Sequence, residues 1–206
     1  MQKIGIFGGT FNPPHKGHIY IAKKAMEYVQ LDKVIFIPCG NPPHKAVEYG
    51  VSNAHRLNMT KIAVQAYPGF EVSDIELSDG QTGQKSYTAL TLKRLKKIYK
   101  QDKLYLIIGG DSLIDLDGWY CPQEIFSVAK VVAVNRGGIA LDELLKKQQQ
   151  LENMYGKKII FVNAEPCDIS SSNIRAELLM DRKCDDLMDS RVVDYIKENK
   201  LYKDCI

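Results

Sequence analysis

Short apolar runs alternate along the chain with longer stretches in which apolar residues recur every three or four positions. The runs 3–7, 33–38, 70–77, 104–109, 131–135 and 159–163 are brief and rich in Ile, Val and Phe, as buried strands are. Between them, Ile19, Ala22, Met26 and Val29 share one face of a predicted helix. Ala89, Leu92, Leu95 and Tyr99 do the same behind Ser86, which is placed to cap that helix. The polar tract Lys146-Lys147-Gln148-Gln149-Gln150 lies inside another helical stretch and is expected to be a solvated face. The alternation predicts an α/β fold, a doubly wound parallel sheet covered by helices on both sides. Ligands in such folds gather beyond the carboxyl ends of the strands, so chemistry is to be sought just after each apolar run.

The first run is followed by Gly8-Gly9-Thr10-Phe11-Asn12-Pro13-Pro14-His15-Lys16-Gly17-His18. Gly8 and Gly9 carry no side chains, so backbone N–H groups there can approach an anion. Thr10 adds a hydroxyl donor, and Gly17 opens the next helix, whose N-terminus carries partial positive charge. His15 and His18 are spaced to face one side of that helix and to donate to phosphate oxygens. The spacing of Gly5, Gly8 and Gly9 excludes the Gly-x-Gly-x-x-Gly dinucleotide pattern, and no Gly-Lys-Ser/Thr makes a P-loop. A metal site is disfavoured because no Cys or carboxylate lies near the two histidines in sequence. Far along the chain, Asp168-Ile169-Ser170-Ser171-Ser172-Asn173-Ile174-Arg175 stands before a second helical pattern. Its serines can cap that helix or present hydroxyls to phosphate, with Arg175 adding a delocalised charge.

Composition narrows the class. The chain has 206 residues, 45% hydrophobic and 26% charged, which suits one domain spanning 1–206. A net charge of +3 gives no reason to expect nucleic acid as a partner. Five cysteines, none in a Cys-x-x-Cys pair, fit a reducing compartment better than a disulfide framework or a thiolate zinc site. Without an apolar leader or a run of about 20 apolar residues, the expectation is a cytoplasmic protein with no membrane partner.

Gly9-Thr10-Phe11-Asn12-Pro13 with His15-Lys16-Gly17-His18 resembles the first signature of the nucleotidyltransferase superfamily, and Ile169-Ser170-Ser171-Ser172-x-Ile174-Arg175 resembles the second. Two departures are visible. Asn12 stands where Asp is common, so no catalytic role is given to it; Ser172 stands where Thr is usual. Asn41-Pro42-Pro43-His44-Lys45, Ser86-Tyr87-Thr88, Ile108-Gly109-Gly110-Asp111-Ser112 and Asp117-Gly118-Trp119-Tyr120 extend the resemblance, over nearly the whole chain, to the bacterial nicotinate mononucleotide adenylyltransferases. It implies a Rossmann-like nucleotidyltransferase fold with C-terminal helices. It also implies transfer of AMP from ATP to nicotinate mononucleotide, giving deamido-NAD and pyrophosphate. ATP would meet Gly8, Gly9, Thr10, Phe11, His15, His18, Gly109, Asp111, Ser112, Ser171, Ser172 and Arg175, with His15, His18 and Arg175 catalytic. His44 and Lys45 would close over the mononucleotide phosphate, and Tyr87, Thr88, Trp119 and Tyr120 would surround the pyridine ring. Magnesium would arrive on the ATP phosphates, with no protein ligand. A homo-oligomer is compatible with this pattern. His55-Arg56 also recurs in the family, and a structural role is favoured for it because arginine stems so often pack. Two alternatives stand beside this reading. One is another acceptor, such as nicotinamide mononucleotide as a second substrate or pantetheine phosphate; the other is a nucleotide sensor without catalysis.

Overall fold

The computed structural model describes residues 1–43 and 50–203, with side chains at all of these but 79–81. Six strands, β1 (Lys3–Gly9), β2 (Lys33–Pro38), β3 (Phe70–Val72), β4 (Lys103–Gly109), β5 (Ala129–Asn135) and β6 (Ile160–Asn163), form one sheet in the order β3-β2-β1-β4-β5-β6. β1 pairs with β4, β4 with β5 and β5 with β6, all parallel, with Ile4 opposite Leu104 and Leu106 opposite Val131. The predicted class is therefore correct. The order reverses at β1 and β4, the switch point at which doubly wound sheets bind ligands. In the middle of β1, Gly5 leaves room for two neighbouring side chains. A Cβ there would lie 2.8 Å from the side chains of both Ile107 and Leu31.

The helices are α1 (Lys16–Val29), α2 (Asn53–Val64), α3 (Leu77–Thr82), α4 (Thr88–Ile98), α5 (Gly110–Ile114), α6 (Pro122–Val128), α7 (Leu141–Tyr155), α8 (Ser171–Leu179) and α9 (Ser190–Glu198). Ile19, Ala22 and Val29 of α1 and Ala89, Leu92 and Leu95 of α4 are buried, as their spacing predicts, whereas Met26 is only half-buried and Tyr99, also half-buried, lies just past the end of α4. The polar tract 146–150 does lie within α7. No described helix is long and apolar enough to cross a membrane.

Two local expectations fail. The third strand, expected over 70–77, ends at Val72, because the Ser73 hydroxyl accepts from Ile75 N and Leu77 N donates to Asp74 O, turning the chain into α3. Ser86 does not cap α4. Tyr87 holds that position without a side-chain hydrogen bond, while buried Ser86 exchanges two bonds with Asn41. A reciprocal loop pairing prevails here over a cap bond worth about 1 kcal/mol.

The chain divides into two compact units, each assembled from three separate segments. The first comprises Met1–Gly8, Ile21–Ile35 and Tyr87–Asp168. Its core holds Ile4, Ala25, Leu92, Ile107, Val132 and Leu144. The second comprises Gly9–Tyr20, Phe36–Ser86 and Ile169–Ile206. There Met59, Ala63, Ile174, Met188, Val192, Ile196 and Tyr202 pack into one cluster that joins α2 to the C-terminal helices.

Candidate active site

Within the second unit, the loop between β1 and α1 is held by its carbonyls. Gly9 O accepts from Cys39 N at 2.9 Å, and Thr10 O accepts from Arg56 Nη1 at 2.7 Å. Phe11, with a φ of 48°, buries its ring at 5.0 Å, edge-on to His18, and at 5.8 Å from Phe36. Its side chain is thus a floor for the histidine. The His15 and His18 rings stack at 3.7 Å, His15 buried and His18 half-buried. His15 N donates to His18 Nδ1 at 3.2 Å. That bond uses the Nδ1 lone pair, so in the neutral ring the hydrogen sits on Nε2, the form that can donate outward.

Gly17, between the two histidines, sits in a tight space. A Cβ there would meet the His15 ring at 3.0 Å and the Ile169 carbonyl oxygen at 3.2 Å. Gly17→Ala should therefore destabilise the protein by about 1–3 kcal/mol, the usual cost of overpacking, read as a lower midpoint in urea. An unchanged midpoint would show that the ring and the carbonyl yield freely.

At the start of α8 the three serines have three different partners. Ser170 is the cap, accepting from Asn173 N at 3.1 Å. Ser171 Oγ donates to Pro13 O at 2.9 Å, and Ser172 Oγ accepts from Arg175 Nη2 at 3.2 Å. Arg175 is buried and also donates from Nη1 to Asn12 O at 2.9 Å. The structure thus brings Thr10, His15, His18, Ser171, Ser172 and Arg175 into one unit. Asn12 serves the structure, since its Oδ1 accepts from Tyr202 Oη at 2.6 Å. Burial pushes the Tyr202 phenol well above its usual value, against the opposing charges of Arg175 and Arg56, so this hydroxyl keeps its proton.

In the first unit, β4 ends at Gly109, and α5 opens with Gly110-Asp111-Ser112, where Asp111 is exposed. Trp119 is half-buried rather than a core residue, its N bonded to Leu116 O at 3.3 Å. Tyr120 lies 4.4 Å from the ring of Tyr87, which heads α4 beside Thr88. Sequence reading misses what steadies this loop. Lys147 of α7 holds both Asp117 oxygens at 2.8 Å. The Lys147 bond, followed by burial acting the other way, leaves the Asp117 carboxyl below its usual range. His44 and Lys45 lie outside the described residues. Among the described residues, no three His, Cys, Asp or Glu side chains gather to hold a metal ion.

A cytidylyltransferase-like family model matches residues 6–177. A protein of Carboxydothermus hydrogenoformans named "Probable nicotinate-nucleotide adenylyltransferase" is 42% identical over 98% of both chains. One of Clostridium tetani with the same name is 38% identical over 98% of this chain and all of its own. The chain belongs to the nicotinate-nucleotide adenylyltransferase family. The solved structure of Plasmodium falciparum nicotinic acid mononucleotide adenylyltransferase complexed with NaAD superposes with a TM-score of 0.79 at 21% identity, over 98% of each chain. It shows that the fold is that of a nucleotidyltransferase, as the two signatures implied. Within this family frame, buried Arg56 serves the structure: beyond Thr10 O, it donates to Cys39 O and Asn53 Oδ1, both at 2.5 Å.

Proposed function

We propose that the chain transfers the AMP moiety of ATP to nicotinate mononucleotide, releasing pyrophosphate and giving deamido-NAD for NAD biosynthesis. The observation that carries this is the family membership of a chain whose first loop presents the His15–His18 pair intact. The nucleophile is the mononucleotide phosphate, already ionised at neutral pH, so no general base is required. The protein then has to align that oxygen with the α-phosphorus and stabilise charge on departing pyrophosphate. His18 Nε2 is our leading donor. Arg175 contributes positive charge from behind the loop, its Nη atoms bonded to Asn12 and Ser172. We assign adenosine to Gly109, Asp111 and Ser112, the ring to Tyr87, Thr88, Trp119 and Tyr120, and the acceptor phosphate to His44 and Lys45. We assign magnesium no protein ligand. When present it would neutralise phosphate charge, held by phosphate oxygens and water as this hard ion often is. We propose a cytoplasmic enzyme acting as one domain, since neither compact unit is a continuous piece of chain. Dinucleotide formation from ATP and each candidate mononucleotide tests the reading; no product and no pyrophosphate with any acceptor overturns it.

Acceptor choice is a sharper test. Tyr87 heads α4 with no side-chain hydrogen bond to the helix, and such an end favours an anion. A donor-lined site suits the nicotinate carboxylate and leaves the amide N–H₂ of nicotinamide facing donors. Each such buried mismatch costs about 1–3 kcal/mol, a preference of roughly 5- to 150-fold in kcat/KM for nicotinate mononucleotide. Comparable values for the two acceptors would make the chain a dual-specificity member of the family.

A further inference from the structure

We infer that Tyr202 is a positioning residue for adenylyl transfer, and that it sets the histidine loop through Asn12. This rests on the assignment of His15 and His18 to the phosphates. The loop that carries them is fastened repeatedly by the far end of the chain, within one compact unit. Tyr202 Oη donates to Asn12 Oδ1 at 2.6 Å, Arg175 Nη1 to Asn12 O at 2.9 Å, and Ser171 Oγ to Pro13 O at 2.9 Å. Lys16 N donates to Leu187 O at 2.9 Å, and Lys16 Nζ to Asp185 O at 3.0 Å. Of these bonds, only that of Tyr202 joins two side chains; the others end on a backbone carbonyl. Tyr202 and Asn12 are both buried, so chemistry at either end can be changed without touching the main chain.

The chain bends sharply to deliver Tyr202. After α9, Lys200 and Tyr202 both take left-handed backbone angles, with φ of 51° and 59°. Non-glycine residues adopt that region at a cost, borne where surrounding contacts require it. Here the turn returns the phenol to the core cluster of α2, α8 and α9 and points its hydroxyl at the residue three before His15. Asn12 is thus gripped on both its carbonyl and its side chain, immediately ahead of the stacked imidazoles. Loosening one grip lets the loop sample positions in which His18 Nε2 no longer meets the developing charge. Misplacement of a catalytic group by a fraction of an ångström reduces kcat while leaving ground-state binding nearly intact.

Y202F tests this, because the ring still fills the core and only the hydroxyl is lost. We expect kcat to fall about tenfold, as for one buried hydrogen bond expressed in the transition state, with KM for both substrates within about twofold. N12A should give a similar loss, and Y202F/N12A should lose little more than either alone, as coupled partners do. N12D keeps an oxygen for the hydroxyl and should lose less than N12A. In folded Y202F, the side-chain NMR resonances of His15 and His18 should shift, which reads the loop without activity. Losses that multiply in the double variant, N12D as impaired as N12A, unmoved histidine resonances, or a lower melting temperature with kcat intact each overturn the inference. H18A run alongside separates the two readings. Full turnover in H18A removes the role given to the histidine, while the resonance shifts judge the Tyr202 link by themselves.

Discussion

Replacing His18 with alanine is expected to lower kcat by about 100-fold or more, the usual cost of deleting one preorganised donor to a charge that grows in the transition state. The ring is well prepared to act as that donor. Its Nδ1 is occupied by the His15 peptide N–H, its face stacks on His15 at 3.7 Å, and the Phe11 ring abuts it edge-on. Nε2–H is therefore aimed by three contacts before any substrate arrives. KM for ATP should change far less than kcat, since a donor felt mainly in the transition state contributes little to ground-state binding. Stability should move by no more than about 1 kcal/mol, because His18 is half-buried and its partners retain their other contacts. Pyrophosphate release measured at saturating ATP and acceptor checks the rate, and near-normal turnover would sink the role.

Local patterns in the sequence carry the sheet and the family to which the chain belongs. The run 33–38 coincides with β2, and the apolar faces of α1 and α4 are buried as their spacing predicts. These succeed because burial on a strand or helix is written in a period of a few residues. The Ser86 cap and the long third strand fail where a side chain has two suitors and the competing one wins. Nothing in sequence spacing distinguishes a serine that caps its own helix from one that pairs with Asn41. Ser170, Ser171 and Ser172 make the same point more sharply, since three identical side chains end with three unrelated partners. The contacts that join distant parts of the chain are least visible. Tyr202 meets Asn12 across 190 positions, and Lys147 reaches Asp117 from a tract that reads as solvated. In sequence, Asn12 reads as a turn residue that has lost a charge. Its amide oxygen still accepts the bond that matters there.

Arg56 is where the remaining large effect is expected, and it concerns stability. The side chain is fully buried and donates to Thr10 O, Cys39 O and Asn53 Oδ1, so it ties the loop between β1 and α1, the end of β2 and the start of α2 together. Burial draws its guanidinium below the ordinary arginine value, and the nearby Cys39, Tyr202 and Glu76 act in the opposite direction. The same surroundings push the Cys39 thiol up to about 12, chiefly through burial and then through Glu76, so a charged thiolate is not the counter-ion here. The arginine is kept by its hydrogen bonds. Arg56→Ala removes these bonds at once and leaves a cavity beside the stranded carbonyls. Each unsatisfied acceptor costs about 1–3 kcal/mol, offset in part by water entering the gap. We expect a net loss of about 3–5 kcal/mol, as for other disrupted buried charges, seen in urea as a lower midpoint with an unchanged slope. Arg56→Lys should recover little of it, because an ammonium cannot span two carbonyls and an amide as a planar fork does. A loss below about 1 kcal/mol for the alanine variant, or full recovery by lysine, would mean that these three segments hold one another without the guanidinium.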